Sequence, residues 1–281
     1  MAALWRGRRA GNLPGFRLTL GFTLLYIGLM VLLPLAALVL KTFGLTWSEF
    51  WATIASPRAL AAYKLSFGGA FLAAGINSVA GLLLAWVLVR HRFPGRNIVD
   101  AIIDLPLALP TAVAGIALTA VYAPNGAVGA LLDRHGIHIA FSAPGVVLAM
   151  VFVGLPFAVR SVQPVLLELD PQVEEAAIVL GASRIRTFVR VILPLLAPSV
   201  ITGFTLAFAR AVGEYGSVVF ISGNLPGQTE IVPLLIVTKL EQFQYPEATA
   251  LAVVVLAGSL VTLLAMNILQ VWNRRWASHG A

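Results

Sequence analysis

The feature that most limits how this chain can fold is a series of long stretches without any charged residue. Five of them lie at 18–40, 65–89, 105–132, 135–159 and 248–273. A sixth, 191–229, is interrupted only by Arg210 and Glu214. An α-helix needs about 20 apolar residues to cross the hydrocarbon core of a bilayer, so every stretch is long enough. The chain is therefore predicted to be an integral membrane protein.

Composition argues against a soluble fold. Of the 281 residues, 59% are apolar and 11% are charged, and the mean hydropathy is +0.91. A soluble domain is about 25% charged and needs those residues to cover its surface. Lipid-facing backbone must satisfy its own hydrogen bonds, and the short alternating segments of a membrane barrel are not seen, so the predicted fold class is all-α. We expect a six-helix bundle with helices near 19–40, 65–89, 98–122, 143–160, 196–221 and 247–271.

Lysine and arginine residues set the expected orientation. With both termini in the cytoplasm, thirteen of them fall on the inner side and five on the outer side, which the positive-inside rule favours. The first apolar run is too long for a cleaved signal peptide and is interpreted as an uncleaved anchor. The expected divisions are a cytoplasmic tail at 1–17, a first helix and outer loop at 18–60, a core at 61–272 that contains a cytoplasmic loop at 161–194, and a cytoplasmic tail at 273–281.

Other functional classes are disfavoured by the residues that the chain has and lacks. The net charge of +7 follows from the orientation, so the expected partner is membrane lipid and not nucleic acid. Trp47, Phe50 and Trp51 in the first outer loop are expected at the membrane surface. The sequence has no cysteine and no glycine-rich phosphate loop, so ATP hydrolysis by this chain alone is excluded. His135 and His138 lie three apart, but no carboxylate or third histidine joins them, and no metal site is predicted.

The large cytoplasmic loop is predicted to form two short helices joined by a turn. Asp170 can cap the first helix, and Pro171 suits its first position. Gly181 permits a left-handed turn, Ser183 can cap the second helix, and Pro194 closes it. The first helix has an apolar stripe of unusually small residues, formed by Val173, Ala176, Ala177 and Leu180. Such a face suits close approach by a cytoplasmic partner; packing on the chain's own bundle and a DNA-reading helix-turn-helix are the alternatives.

The same loop carries a pattern that resembles the EAA signature of ABC-importer permeases. Glu175-Ala176-Ala177 is followed after three residues by Gly181 and after nine more by Val191-Ile192-Leu193-Pro194. Six of the seven fixed positions match, and only Val191 departs from the pattern. Four further segments are similar to the sulfate, thiosulfate and molybdate permeases of that family, namely 92–96, 104–115, 156–166 and 210–216. The resemblance covers nearly the whole chain.

The resemblance implies the type I ABC-importer permease fold and a place in the bacterial inner membrane. It implies transport of sulfate or thiosulfate by a heterodimer of this chain with a second, homologous permease, together with two ATPase subunits and a periplasmic sulfate-binding protein. No cofactor is then held by this chain, because ATP and Mg²⁺ bind to the ATPase subunits. In the family the loop is a coupling helix seated in the ATPase, and the residues expected at that contact are Glu174, Glu175, Ala176, Ala177, Gly181, Leu193 and Pro194.

Two groups of residues within the apolar stretches are candidates for a translocation path or gate. Arg210 and Glu214 are four apart on one predicted helix and share a face, where charges are costly unless paired or hydrated. They could line the path, with Arg210 attracting an oxyanion, or brace the bundle as an internal ion pair. Gly213 beside them permits a bend. Pro110 removes a backbone hydrogen bond from the third helix, and the resulting kink either exposes Thr111 to a cavity or serves packing alone.

The preferred function is therefore the permease subunit of an ATP-driven sulfate or thiosulfate importer. A molybdate- or tungstate-type permease is the nearest alternative. An autonomous anion channel or ion-coupled carrier that uses Arg210 is a further one, although the inverted repeats and paired broken helices common in such carriers are not seen in the sequence. A membrane-embedded hydrolase ranks below these because the chain offers no credible base or metal cluster.

Overall fold

The computed structural model describes residues 16–277, most of which are helical. The predicted tails at 1–17 and 273–281 extend beyond this range, so 1–15 and 278–281 lie outside the described residues. The described residues form fourteen α-helices: α1 (Phe16–Ile27), α2 (Leu33–Thr42), α3 (Trp47–Ile54), α4 (Pro57–Arg90), α5 (Arg96–Ala108), α6 (Thr111–Tyr122), α7 (Gly129–Asp133), α8 (Ala143–Glu168), α9 (Pro171–Val179), α10 (Arg184–Thr187), α11 (Leu193–Val212), α12 (Val218–Ile221), α13 (Val232–Glu241) and α14 (Tyr245–Ala277). Two π-helical turns, Gly28–Leu32 and Phe188–Ile192, join α1 to α2 and α10 to α11.

The expected number of membrane spans is present when a bent helix pair is counted as one. Five helical segments are long and apolar enough to cross a membrane: Leu18–Thr42, Pro57–Arg90, Ala143–Glu168, Arg184–Val212 and Tyr245–Ile268. The sixth span is the pair α5 and α6. The all-α membrane fold is therefore confirmed. The long helices run past the charge-free stretches because arginine and lysine at helix ends can extend their charged groups into water.

The third predicted helix, 98–122, is wrong as a continuous element. The chain instead forms α5 and α6, which are bent by 115° with respect to each other. Pro110 has no N–H to donate to the carbonyl of Pro106, and its ring disfavours helical geometry at Leu109, which is extended (φ −80°, ψ 137°). The break places Pro110 at the N-cap position of α6 and Thr111 at its first residue.

The fourth and fifth predicted helices and the loop between them also differ from their predicted bounds. α8 continues beyond residue 160 to Glu168, which shortens the cytoplasmic connection to 169–183. The second short helix of the loop is not a separate element, because α10 continues through the π-turn into α11. The span then ends at Val212 and not at 221. Pro194 lies in the first turn of α11 and does not close a helix; at such a position the N–H that proline lacks is least needed.

The centre of the molecule is a core of α4, α8 and α11 in which small residues let the backbones approach closely. A Cβ added at Gly81 on α4 would lie 2.7 Å from the Cβ of Ala158 on α8, nearer than such atoms approach. Gly203 on α11 faces the same residue, and its added Cβ would lie 3.1 Å from the Ala158 Cα. Lipid gives membrane helices no hydrophobic reason to associate, so this close packing is what holds the three helices together.

A single methyl group at Gly81 is expected to destabilise the protein. Gly81→Ala forces α4 and α8 apart, and overpacking of this kind costs about 1–3 kcal/mol. Gly75→Ala is the matched control on the same helix, because nothing lies within 4 Å of its added Cβ. The control is expected to be neutral or slightly stabilising, since alanine favours a helix over glycine by about 1 kcal/mol. Thermal unfolding of both variants in detergent micelles measures the difference, and equal midpoints would contradict the tight contact.

The first span and α3 lie at the edge of this core. The apolar part of the first span is 0% buried, and its packing partner in the bundle is α14.

α3 carries the aromatic residues predicted at the membrane surface, with the Trp47 ring centroid 5.9 Å from that of Phe50 and 5.6 Å from that of Trp51. It begins with a capping box between Thr46 and Glu49. Hydrogen bonds from the Thr46 hydroxyl and backbone N–H lower the pKa of the Glu49 carboxyl below its ordinary value.

Candidate functional site

The cytoplasmic connection folds as a short helix followed by a left-handed turn, as its sequence predicts. Asp170 caps α9 by accepting a hydrogen bond on Oδ1 from the backbone N–H two residues later, at 2.9 Å. Gly181 has φ +83°, a conformation that residues with a side chain resist. Ser183 caps α10 by accepting a hydrogen bond from the backbone N–H three residues later, at 3.4 Å. These three residues fix the direction in which α9 leaves α8 and in which the chain returns to α11.

One face of this connection is apolar and uncovered. The side chains of Val179 and Leu180 are 85% and 87% exposed, and that of Ile185 on α10 is 78% exposed. Three of the signature residues are exposed with them, Glu175, Ala176 and Gly181. Single exposed apolar residues are ordinary, but neighbouring ones outside the membrane-spanning segments, such as Val179 and Leu180, are typical of an interaction surface.

The other residues predicted at the ATPase contact have different surroundings. Ala177 is half-buried, and Glu174 is turned toward the bundle, where its Oε1 lies 2.5 Å from Nη2 of Arg90. Leu193 and Pro194 belong to the first turn of α11, beyond the π-turn. The signature therefore divides into an exposed part on α9 and its turn and a part that builds the junction with the membrane helix.

Within the membrane segments, the structure brings Arg210 and Glu214 together, although not on one helix as predicted. α11 ends at Val212, and Glu214 lies in the loop after Gly213. Nη1 of Arg210 lies 2.5 Å from Oε2 of Glu214; the Arg210 side chain is 31% exposed and that of Glu214 is 1% exposed. Oε1 of Glu214 accepts hydrogen bonds from the backbone N–H and the hydroxyl of Ser217, each at 2.9 Å. A cation and two donors thus compensate the buried carboxylate.

α6 packs directly against the loop that carries Glu214. A Cβ added at Gly216 would overlap the side chain of Thr111, so the backbone of the loop lies against the first residue of α6. The break at Pro110 therefore brings the candidates of the third and fifth predicted helices to one place. Gly213 has nothing within 4 Å of an added Cβ, so its small size is not required by a close contact in this structure.

Sequence reasoning missed a second charge cluster. The predicted bounds place Arg160 at the end of the helix 143–160 and Asp100 and Asp104 near the start of the helix 98–122, with no contact between them. In the structure Arg160 lies within α8, and its guanidinium reaches α5, with Nη1 2.7 Å from Oδ1 of Asp100 and Nη2 2.5 Å from Oδ2 of Asp104. Gln163 joins the cluster through its side-chain oxygen. The available signal was the pair of aspartates four apart, which share one face of a helix and favour a cation from a neighbouring one.

Two further polar side chains, Glu230 and Asn77, are buried without a sequence signal. Arg58, at the start of α4, binds Glu230 through two hydrogen bonds of 2.7 Å, although the residues are 172 apart, and the Glu230 side chain is 1% exposed. Asn77 is fully buried on α4, and neither polar atom of its side chain has a hydrogen-bond partner within residues 16–277. Such pairings depend on tertiary packing, so the sequence pattern alone does not contain them.

The sequence predicts no carboxylate beside the two histidines, and within residues 16–277 the structure places one beside His138 alone. Nδ1 of His138 lies 2.8 Å from Oδ1 of Asp133. Nδ1 of His135 instead lies 3.0 Å from the carbonyl oxygen of Leu131. The part of the chain that the structure describes contains no group of three side chains able to hold a metal ion.

The chain is similar to known transport proteins in sequence and in fold. Residues 77–279 match the family described as binding-protein-dependent transport system inner membrane component. The chain is 47% identical to the sulfate transport system permease protein CysT of Salmonella typhimurium over 95% of this chain and 97% of that one. It is 50% identical to the protein of the same name from Synechocystis, over 91% and 90%. A bacterial alginate ABC transporter, solved in complex with an alginate pentasaccharide-bound periplasmic protein, has a similar fold, with a TM-score of 0.74 at 18% identity over 89% of this chain and 92% of that one.

Proposed function

The chain belongs to the binding-protein-dependent transport system inner membrane components, and we propose that it is the permease subunit of an ATP-driven importer for sulfate or thiosulfate. It is a multi-pass inner-membrane protein with the type I ABC importer permease fold, and it is not itself an enzyme. The substrate class rests on one observation, the identity of about half of all residues with sulfate permeases along nearly the full chain.

The exposed face of α9 is proposed to be the surface on which an ATPase subunit docks. Val179 and Leu180 are almost fully exposed there, next to Glu175 and Ala176 of the signature. An ATPase seated on this face would cover the apolar side chains, and its closure on ATP would move α9 relative to the membrane. ATP and Mg²⁺ would then bind to the ATPase and not to this chain.

The complete importer is proposed to contain a second, homologous permease, two ATPase subunits and an external sulfate-binding protein. A solved transporter of the same fold is bound to a periplasmic protein, which supports the external partner. Large apolar side chains stay exposed on the broken span, among them Ile98, Ile102, Val113 and Ile116. Lipid and the sister permease are the surfaces that would cover them.

The translocation path is proposed to run beside the first turn of α6 and the loop after α11. Arg210 remains partly exposed while its ion pair with Glu214 holds the guanidinium in place. Its free N–H donors could then attract an oxyanion without carrying a full unpaired charge into the membrane. Thr111 lies at the break in the third span, next to the same loop, where its hydroxyl could contribute a further donor.

The proposed function predicts ATP-dependent uptake of radiolabelled sulfate in a strain that lacks its own sulfate and molybdate importers. The chain is expressed with its sister permease, ATPase and binding protein. We expect excess thiosulfate to suppress sulfate uptake by about tenfold or more, because both anions use one path, and excess molybdate to leave it unchanged. Without the ATPase no uptake is expected.

Two results would overturn this proposal in different ways. Suppression by molybdate, with transport of molybdate itself, would assign the chain to the molybdate-type permeases. Sulfate flux through liposomes that contain only this chain would assign it to the autonomous channels or carriers.

A further inference from the structure

The cytoplasmic connection is fastened to a membrane helix that is distant from it in sequence. Glu174 lies in the first turn of α9, and Arg90 is the last residue of α4, 84 positions earlier. Oε1 of Glu174 and Nη2 of Arg90 are 2.5 Å apart, with the two side chains 25% and 19% exposed. An ion pair that is mostly shielded from water is screened less by salt than a surface pair. Its geometry is therefore held more firmly than that of an ordinary surface contact.

Arg90 is connected to the π-turn that leads into α11 through the ring of Trp86. Its guanidinium lies 5.8 Å from the centroid of the Trp86 ring, one turn earlier on α4, within the range of a cation–π interaction. The Trp86 ring in turn meets the Phe188 ring of the π-turn edge to face, with centroids 5.3 Å apart. Nε of Arg90 is buried and has no hydrogen-bond partner among the described residues. Arg90 thus contacts α9 directly, and Trp86 beside it contacts the start of the fifth span.

The contact between Arg90 and Glu174 matters because α9 is joined through the chain to α8 and α11 but not to α4. α9 is linked covalently to α8 on one side and, through Gly181, to α10 and α11 on the other. α4 has no covalent link to the connection, yet it packs along both α8 and α11 and forms the third member of the core. The ion pair therefore adds a direct contact between α9 and α4 to the packing of α9 on α10 and on the π-turn.

We propose that Arg90 and Glu174 form the noncovalent link that transmits movement of α9 to α4. This inference rests on the proposed function, because it supposes that an ATPase moves α9. Glu174 is then a positioning residue that faces its own bundle, whereas Glu175 beside it is free for the partner. The ATPase can bind without the link, but its movement does not reach the whole core.

Charge reversal at each position tests the link. The complete importer is reconstituted in liposomes, and ATP hydrolysed per sulfate transported is measured for Arg90→Glu, Glu174→Arg and the double variant. Each single reversal is expected to raise this ratio by about fivefold or more, the lower end of typical coupling between sites, while the ATPase still co-purifies. The double variant restores the pair in reversed order and is expected to recover most of the coupling.

A matched ion pair provides the control. Lys239 and Glu247 also lie 2.5 Å apart, with side chains 23% and 30% exposed, on the side of the bundle predicted to face outward. Reversing either of them removes a pair of the same length and burial but is expected to leave the ratio within about twofold of wild type, because this pair joins α13 to α14 and not to α9.

A covalent bridge tests the same link independently of charge. Because the chain has no cysteine, Arg90→Cys with Glu174→Cys gives a single reactive pair. Bridging it with a bifunctional maleimide as long as the two lost side chains is expected to recover coupling that the unbridged variant lacks. Unchanged ratios in the single reversals, or a bridge that blocks transport, would overturn the link. Absence of ATP-dependent uptake in the wild type would instead overturn the proposed function.

Discussion

Replacement of Gly181 by valine is expected to reduce sulfate uptake by about tenfold or more, the factor that corresponds to roughly 1.4 kcal/mol. Gly181 has φ +83°, and the left-handed region costs ordinary L-residues about 1–2 kcal/mol and β-branched residues more. Nothing lies within 4 Å of an added Cβ, so the substitution changes the backbone and does not create a clash. The turn then adopts another geometry, and α9 presents its exposed face in the wrong direction.

Gly95→Val is the matched control for this experiment. Gly95 has φ +85°, also has nothing within 4 Å of an added Cβ, and lies at the N-cap of α5 and not in the connection that carries α9. Both variants carry the same backbone strain, but only Gly181→Val is expected to lose the ATPase during purification. Gly181→Asn is expected to keep most of the uptake, because asparagine tolerates the left-handed region. Equal loss of the ATPase from both valine variants would contradict the docking role of α9.

The features that the sequence predicted well are those set by neighbouring residues. The N-caps at Asp170 and Ser183 and the turn at Gly181 each depend on side chains within a few positions, and all three are found in the structure. The charge-free stretches likewise report on local composition. They locate the membrane spans because the free energy of burying apolar residues in lipid adds up along one helix.

Helix ends were predicted less well because hydropathy does not mark them. The predicted fifth helix begins at residue 196, after Arg184 and Arg190, yet the helix passes through both into the membrane segment. Pro106 and Pro110 both lie in the third predicted helix, but only Pro110 breaks it, since Pro106 lies inside α5.

Contacts between distant residues were beyond the reach of sequence patterns. The pairing of Arg58 with Glu230 and of Arg90 with Glu174 joins residues 172 and 84 positions apart. Arg210 and Glu214 were predicted to meet because they are four apart on a helix, and they meet although the helix ends between them. Their short separation keeps them within reach of each other, and the loop that carries Glu214 packs on α6 through Gly216.

Removal of Arg210 alone is expected to have the largest effect of any single change in the membrane segments. Arg210→Met leaves the Glu214 carboxylate 1% exposed with no cation beside it. Breaking one side of a buried ion pair costs about 3–5 kcal/mol, so little of this variant is expected to assemble. The amount of folded importer recovered from membranes by size-exclusion chromatography measures that loss. Because Arg210→Met reduces assembly, this variant alone does not show whether Arg210 stabilises the bundle or takes part in transport.

The double variant Arg210→Met with Glu214→Gln separates the two roles. It removes both charges together, and the glutamine oxygen can still accept the hydrogen bonds of Ser217. Replacement of a buried pair by uncharged residues of similar volume is often neutral for stability, so assembly is expected to recover. If Arg210 attracts the anion, uptake stays about tenfold or more below wild type although the importer is folded. If the pair only braces the bundle, uptake recovers with assembly.

The corresponding change at Arg58 and Glu230 controls for the loss of a buried ion pair as such. Glu230 is as buried as Glu214, and its arginine is about as exposed as Arg210. Arg58→Met with Glu230→Gln is expected to regain both assembly and uptake, because this pair ties α4 to the segment before α13 and lies apart from the loop after α11. Loss of uptake in both double variants would mean that any buried pair is needed for transport. Loss in the Arg210 variant alone assigns the positive charge beside α6 to the path of the anion.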